Sequence, residues 1–185
     1  MKIILASSSP RRKELLAKIV DDFVVINSSV DEKIAKIDVK KLPIELAKRK
    51  AKAVFITHND SCVIGADTIV YIDGEVLGKP KDFSLAVAML KKLQGRVHHV
   101  YTGVCIINRM KEIEFLEDTK VYIAPMSDEE IAEYVTKEKP YDKAGGYGIQ
   151  TSFAKYIKKI EGDFYNVMGL PLYHLYQELK NANIC

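Results

Sequence analysis

The chain has 185 residues, 48% of them hydrophobic, which is enough for one sizeable core and marginal for two. A net charge of +3 is too modest for a nucleic-acid coat protein, and no stretch approaches the roughly 18–20 uncharged apolar residues of a membrane helix. The three cysteines, Cys62, Cys105 and Cys185, lack metal-type spacing and suit a reducing cytoplasm better than a disulfide scaffold; the four histidines have no HxxxH partner that would suggest a zinc site.

The opening MKIILASSSPRR has an apolar run of only about four residues, short of the ~7–15 of a signal peptide, and arginines follow at once. A cytoplasmic protein is therefore expected. Residues 1–54 hold 13 Lys/Arg against 7 Asp/Glu, and the remainder 15 against 18. A basic first third can steer an anionic ligand, or form an ordinary lysine-rich surface.

Residues 2–6 read as a short buried strand. Ser9 is then a good N-cap and Pro10 suits the first helical position of a helix continuing over 11–19. A second strand is expected over 22–27, a polar segment around Asp31 and Glu32, and a helix over 43–56. Cys62–Ile72 is apolar on both alternating faces, as a central strand is, and Asp73-Gly74 turns it into Glu75–Leu77. Asp82 caps a helix over Phe83–Leu93 that Gly95 closes. Residues 97–108 and Glu112–Ile123 read as paired strands, and Ser127-x-x-Glu130 is a capping box opening a helix to about Thr136. Gly145, Gly146 and Gly148 mark a loop. Residues 153–160 and Phe164–Met168 read as a hairpin, and 171–181 as a last helix. No linker or repeat interrupts the series, so one α/β domain over 1–185 with a mixed, partly antiparallel sheet and flanking helices is expected.

Several residues stand where structure alone would not put them. In ILASSSPRR a helix N-terminus, the hydroxyls of Ser7 and Ser9, and the guanidinium groups of Arg11 and Arg12 converge beyond the first strand, which makes a phosphate cradle without the Walker pattern. The alternative is an ordinary capped helix. Lys50 lies inside the apolar arc formed by Leu46, Ala47, Ala51, Val54 and Phe55, so it must snorkel, pair with an acid, or face a cleft that binds anions. Asp67 sits in CVIGADTIVYI, the most apolar strand, where a carboxylate is costly unless paired, bound to a cation or placed at a site. Gly65, two residues earlier on the same face, is expected to leave room for a ligand. Lys79 is presented by the stiff Gly78-Lys79-Pro80 turn. Gln150 ends the glycine-rich DKAGGYGIQ, where it offers a donor and an acceptor to a base edge. Turn chemistry is the alternative for both segments.

Eight segments, LASSSPRRKELL, DEKI, AKRKAKA, IGADTIV, GKPKD, GRVHHVYTGV, DKAGGYGIQ and EGDFYNVMGLPL, occur in the order found in the Maf-like nucleoside triphosphate pyrophosphatases, which the chain resembles from end to end. The resemblance implies an α/β fold in two lobes around a cleft, similar to that of inosine triphosphate pyrophosphatases, and a homodimer. It implies hydrolysis of a nucleoside triphosphate to the monophosphate and pyrophosphate with a divalent cation, Mg²⁺ or Mn²⁺. Asp67 matches the position of the proton acceptor. Ser9, Arg11, Arg12, Lys50 and Lys79 match positions that contact substrate phosphates, and Ser7 lies in the same segment. Glu32 matches an acidic position of the cleft, so Glu32 and Asp67 are the candidate metal ligands. Arg11, Thr68 and Gln150 resemble the subgroup acting on dTTP and UTP. One departure is Thr151, where relatives commonly carry glycine, which bears on the path of that loop.

A binding or regulatory protein in septum formation and cell-division control is the rival that the family name suggests. It leaves the carboxylate, lysines and arginines of the site unexplained. Single-stranded nucleic-acid binding calls for aromatics interleaved with basic residues along one surface, whereas the tyrosines here are scattered. Neither a nucleic-acid nor a membrane partner is expected.

Overall fold

The computed structural model describes residues 1–31 and 37–184. Its strands form a mixed sheet in the order β2-β1-β3-β5-β6-β7, with β4 paired to β3. These are β1 (Ile3–Ala6), β2 (Phe23–Ile26), β3 (Cys62–Ile72), β4 (Glu75–Leu77), β5 (Val97–Ile107), β6 (Glu112–Ile123) and β7 (Ile157–Glu161). β1 runs parallel to both β2 and β3, while β4 and β7 are antiparallel to β3 and β6. The expected mixture of parallel and antiparallel pairing is present. The helices are α1 (Pro10–Leu16), α2 (Lys41–Phe55), α3 (Phe83–Leu93), α4 (Asp128–Glu138), α5 (Phe164–Met168) and α6 (Leu172–Asn181). Among the described residues no helix is long and apolar enough to cross a membrane.

The chain divides into two compact units. The first comprises Met1–Thr68, Thr102–Glu117 and Gly169–Cys185, and the second Ile69–Tyr101 and Asp118–Met168.

In the first unit, α2 covers β3 and β5 and closes a core of Ile4, Ala6, Ala47, Ala51, Val63 and Cys105. The glycines beneath it are structural. A Cβ on Gly65 would collide with the carbonyl of Ala47 and lie 2.9 Å from the Ala51 nitrogen. One on Gly103 would collide with the backbone of Pro43 and Ile44. Helix backbone therefore rests directly on strand backbone. This corrects the expectation that Gly65 leaves room for a ligand: the α2 backbone fills that space. α2 also begins two residues before Pro43, whose missing N–H is tolerated in a first turn.

In the second unit, α3 and α4 pack with the strand ends around Val70, Leu90, Val121, Ile131 and Phe153. The capping box of α4 is complete, Ser127 accepting from the Glu130 N–H and Glu130 from the Ser127 N–H. The expected hairpin over 153–168 is absent. Instead, Thr151 caps a 3-10 turn over Ser152–Tyr156, β7 pairs with β6, and Phe164–Met168 is helical. The cause is Asp163, whose carboxylate accepts the N–H groups of Tyr165 at 2.6 Å and Asn166 at 3.3 Å. That capping bond stabilises a helical turn over a strand.

Also within this unit, His98 of β5 is 1% exposed. Burial, with the neighbouring charge of His99 second, holds its imidazole down at about 3.

Two outcomes follow from this packing. Gly65→Ala should lower stability by about 1–3 kcal/mol or more, the scale of overpacking, because backbone rather than a flexible side chain must move. An unchanged denaturation midpoint would contradict the backbone contact. For His98, the unfolded chain binds a proton below about pH 6.5 while the folded chain stays neutral down to about 3, so stability falls as pH drops through that window. His98→Gln should remove up to about 1.4 kcal/mol per pH unit from that acid slope. Paired melting curves from neutral pH downwards check this, and identical slopes would refute it.

Candidate active site

In the first unit, parallel pairing sets Ala6 beside Gly65, so the end of β1 lies next to the strand residues that lead to Asp67. Ser7 follows, buried, and its hydroxyl accepts the Ser9 N–H at 3.2 Å. Ser9 caps α1 by accepting the Arg12 N–H at 3.5 Å, with Pro10 in the first turn as expected.

The Arg12 guanidinium is fixed from three directions. Its Nε donates to the Gly169 carbonyl at 2.8 Å, Nη2 to Thr68 Oγ1 at 3.0 Å and Nη1 to Ser7 Oγ at 3.5 Å. Thr68 in turn shares a hydrogen bond of 2.9 Å with Thr102, which is fully buried. Five residues, from the turn after β1, from α1, β3 and β5, and from the start of the unit's last segment, thus form one polar cluster. Arg11, next to Arg12, is partly exposed.

The neighbouring residue of β3 faces the other way. Alternation puts Asp67 on the face shared with Gly65, where α2 lies. There Lys50 Nζ donates to Asp67 Oδ1 at 2.5 Å, with both residues 9% exposed. Of the three fates open to Lys50 in its apolar arc, pairing with an acid is the one observed. The Gly65 contact explains why: α2 lies close enough for a residue between Ala47 and Ala51 to reach β3.

The second unit holds Lys79 and Gln150, both exposed. Their two loops meet, since the Gly145 N–H donates to the Gly78 carbonyl at 3.0 Å. Gly145 has φ of 70° and approaches Val70 so closely that a Cβ would lie 3.0 Å from that side chain. Thr151 fits the loop: its hydroxyl donates to the Gly148 carbonyl at 2.8 Å and accepts the Phe153 N–H at 3.3 Å. The departure from glycine therefore supplies a cap. Tyr134 accepts the Gly148 N–H at 3.2 Å, and burial raises its hydroxyl pKa.

Glu32 lies outside the described residues. Among those described, Cys105, Glu112 and Glu114 form a group of metal-binding dimensions, which does not include the expected ligand Asp67. Lys48 already bridges it, 2.6 Å from each of Glu112 and Glu114. Hydrogen bonding from Lys48 pulls Glu112 down to about 2, while burial pushes the Cys105 thiol up to about 12. An ammonium thus occupies the place of a cation, and the thiol stays protonated.

Sequence reasoning missed Thr102, Gly103, Gly169 and His98. Thr102-Gly103 carries the same signal as Gly65-Ala-Asp-Thr68, a polar residue and a glycine inside an apolar strand. Gly169 contributes a main-chain carbonyl, for which side-chain chemistry gives no sign.

The sequence profile described as Maf-like protein matches residues 2–182. The dTTP/UTP pyrophosphatase of Carboxydothermus hydrogenoformans is 46% identical over 182 residues, covering 97% of this chain and 98% of that protein. That of Thermoanaerobacter sp. is 48% identical over 184 residues, covering 97% and 96%. Among solved structures, the Staphylococcus aureus Ham1 protein superposes with a TM-score of 0.58 at 18% identity, covering 98% of this chain and 100% of that one, a likeness of fold. With a profile match along nearly its whole length and relatives almost half identical throughout, the chain belongs to the Maf family.

Proposed function

We propose that this chain hydrolyses dTTP and UTP to the monophosphate and pyrophosphate. One observation carries the reading: the strand bearing the buried Lys50–Asp67 pair runs next to the strand that leads into a helix N-terminus furnished with Ser7, Ser9 and Arg12. The relatives named dTTP/UTP pyrophosphatase, 46% and 48% identical along almost the full chain, support the substrate.

In this reading water attacks the α-phosphorus and Asp67 accepts its proton. The carboxylate is oriented by Lys50, so its position is set before substrate arrives. Ser7 and Ser9 donate to phosphate oxygens, and Arg11, Arg12, Lys50 and Lys79 offset the negative charge that builds on the departing pyrophosphate. Arg12 is preorganised by Gly169, Thr68 and Ser7, which lowers the cost of holding it in place as charge develops. Thr68 already spends two of its three hydrogen-bonding capacities on Arg12 and Thr102, so base reading falls mainly to Gln150, with Arg11 assisting.

A divalent cation, Mg²⁺ or Mn²⁺, belongs to the proposal. Such ions take one or two carboxylates together with substrate phosphates, and Asp67 and Glu32 are the carboxylates of the right kind. When bound, the ion would neutralise phosphate charge. We also propose that residues 1–185 act as one domain, in a cytoplasmic homodimer without a nucleic-acid or membrane partner; the family resemblance supports this.

Asp67→Asn should lower kcat at least ~10²-fold in a chain that still folds, and should lower the melting temperature, because the amide still accepts from Lys50 but neither takes a proton nor matches the buried ammonium. A folded variant with parental turnover would reject the assignment. Gln150→Ala, at an exposed position, should leave stability unchanged and narrow the ratio of UTP to GTP kcat/KM by about tenfold, mainly through the pyrimidine. A parental ratio removes Gln150 from base recognition. In both assays pyrophosphate and monophosphate are measured directly, and a diphosphate intermediate would overturn cleavage at the α-phosphorus.

A further inference from the structure

Packing alone does not account for His98. Its Nε2 shares a hydrogen bond of 2.8 Å with the Tyr147 hydroxyl, and its Nδ1, also buried, has no hydrogen-bond partner among the described residues. Either tautomer therefore leaves one ring nitrogen unsatisfied, a cost that a phenylalanine of similar size would avoid. Among the described residues, the hydrogen bond that this imidazole makes goes to the glycine loop.

Beyond the bonds of Gly145 to Gly78 and of Gly148 to Tyr134 and Thr151, that loop has few side chains of its own to hold its shape. Gly145 and Gly146 lie at φ of 70° and 73°, and Gly148 follows, so the backbone has wide freedom and almost no side chains to anchor it. Tyr147 and Ile149 are its buried side chains of any size. Ile149 gives depth without direction, whereas the tyrosine hydroxyl must meet one nitrogen at one angle. Tyr147 is further clasped by the edge contact with His98, ring centres 5.5 Å apart, and by Phe153 at 4.7 Å. Burial raises the Tyr147 pKa far above neutral pH, so the hydroxyl keeps its proton for the bond.

We propose that His98 is a positioning residue: through Tyr147 it fixes the glycine loop against residues 78–80, and so sets where Gln150 meets the nucleobase. The part concerning the base rests on the pyrimidine triphosphate reading given above. The loop already touches the Lys79 turn through Gly145 and Gly78, and a Cβ on Gly146 would lie 3.6 Å from Pro80. Slack at Tyr147 therefore reaches both segments, while Asp67 and Lys50 keep their pairing.

The test compares His98→Phe, which keeps the ring and removes the bond, with His98→Gln, whose amide can restore it. His98→Phe should raise KM for UTP about tenfold with kcat within about threefold, the split expected when an oriented binding contact is lost. Without nucleotide, amide hydrogen exchange over residues 144–150 should quicken about tenfold, with exchange in β5 and β6 unchanged. His98→Gln should bring both readouts back to within about threefold of the parent. Tyr147→Phe, which loses only the hydroxyl, should reproduce the His98→Phe pattern, and it carries the test if His98→Phe does not fold. The proposal is overturned by unchanged exchange in a folded variant, by exchange rising uniformly through the unit, or by Gln behaving no better than Phe. If the parent protein itself fails to turn over UTP, the functional reading falls, and the exchange measurement still decides the role of His98.

Discussion

Backbone contact between α2 and the sheet is the constraint on which the first unit depends. Two glycines on adjacent strands, Gly65 and Gly103, remove the side chains that would hold a helix at the usual distance from a sheet. Ala47 and Ala51 add little bulk on the helix side. Lys50 is carried down by this close approach until its ammonium meets Asp67. Elsewhere on such a helix it would snorkel to water; here the carboxylate is within reach and the charge is matched where solvent is scarce.

The strand that carries Asp67 also separates two kinds of work by alternation. Asp67 faces α2, and Thr68 faces the Arg12 cluster. The buried ion pair on one face is costly to break from either side, because removing one partner strands the other. Replacing Lys50 with an apolar residue therefore suits the apolar stripe of α2 but leaves Asp67 exposed to the full cost of an unpaired charge. A stripe drawn from helical periodicity alone omits that second half of the balance.

Much of this was legible in the chain. The strand, Ser9 cap and Pro10 that open α1, the central apolar strand with its misplaced Asp67, and the capping box of α4 each combine a local signal with a matching tertiary environment. The readings that failed did so where the deciding partner is distant. Gly65 looked like space because its neighbour on β3 is a carboxylate, but the occupant is a helix contributed by residues 47–51. The stretch 153–168 alternates like a hairpin, yet the carboxylate of Asp163 captures two amides and turns the chain into α5. Thr102 and His98 sit in an apolar strand as Asp67 does; their partners, Thr68 and Tyr147, lie 34 and 49 residues away.

The bond from Arg12 to the Gly169 carbonyl joins residues 157 positions apart. It has a temporal meaning during synthesis. A growing chain can form β1, cap α1 with Ser9 and pair β1 with β3 long before residue 169 has been made. Until then the guanidinium lacks the carbonyl that fixes its Nε, and the first unit lacks its third chain segment. Bringing such distant segments together is slow compared with local turns and helices. Arg12 is thus set only as the last part of the chain arrives, so the nascent protein holds its fold in outline before this polar cluster is complete.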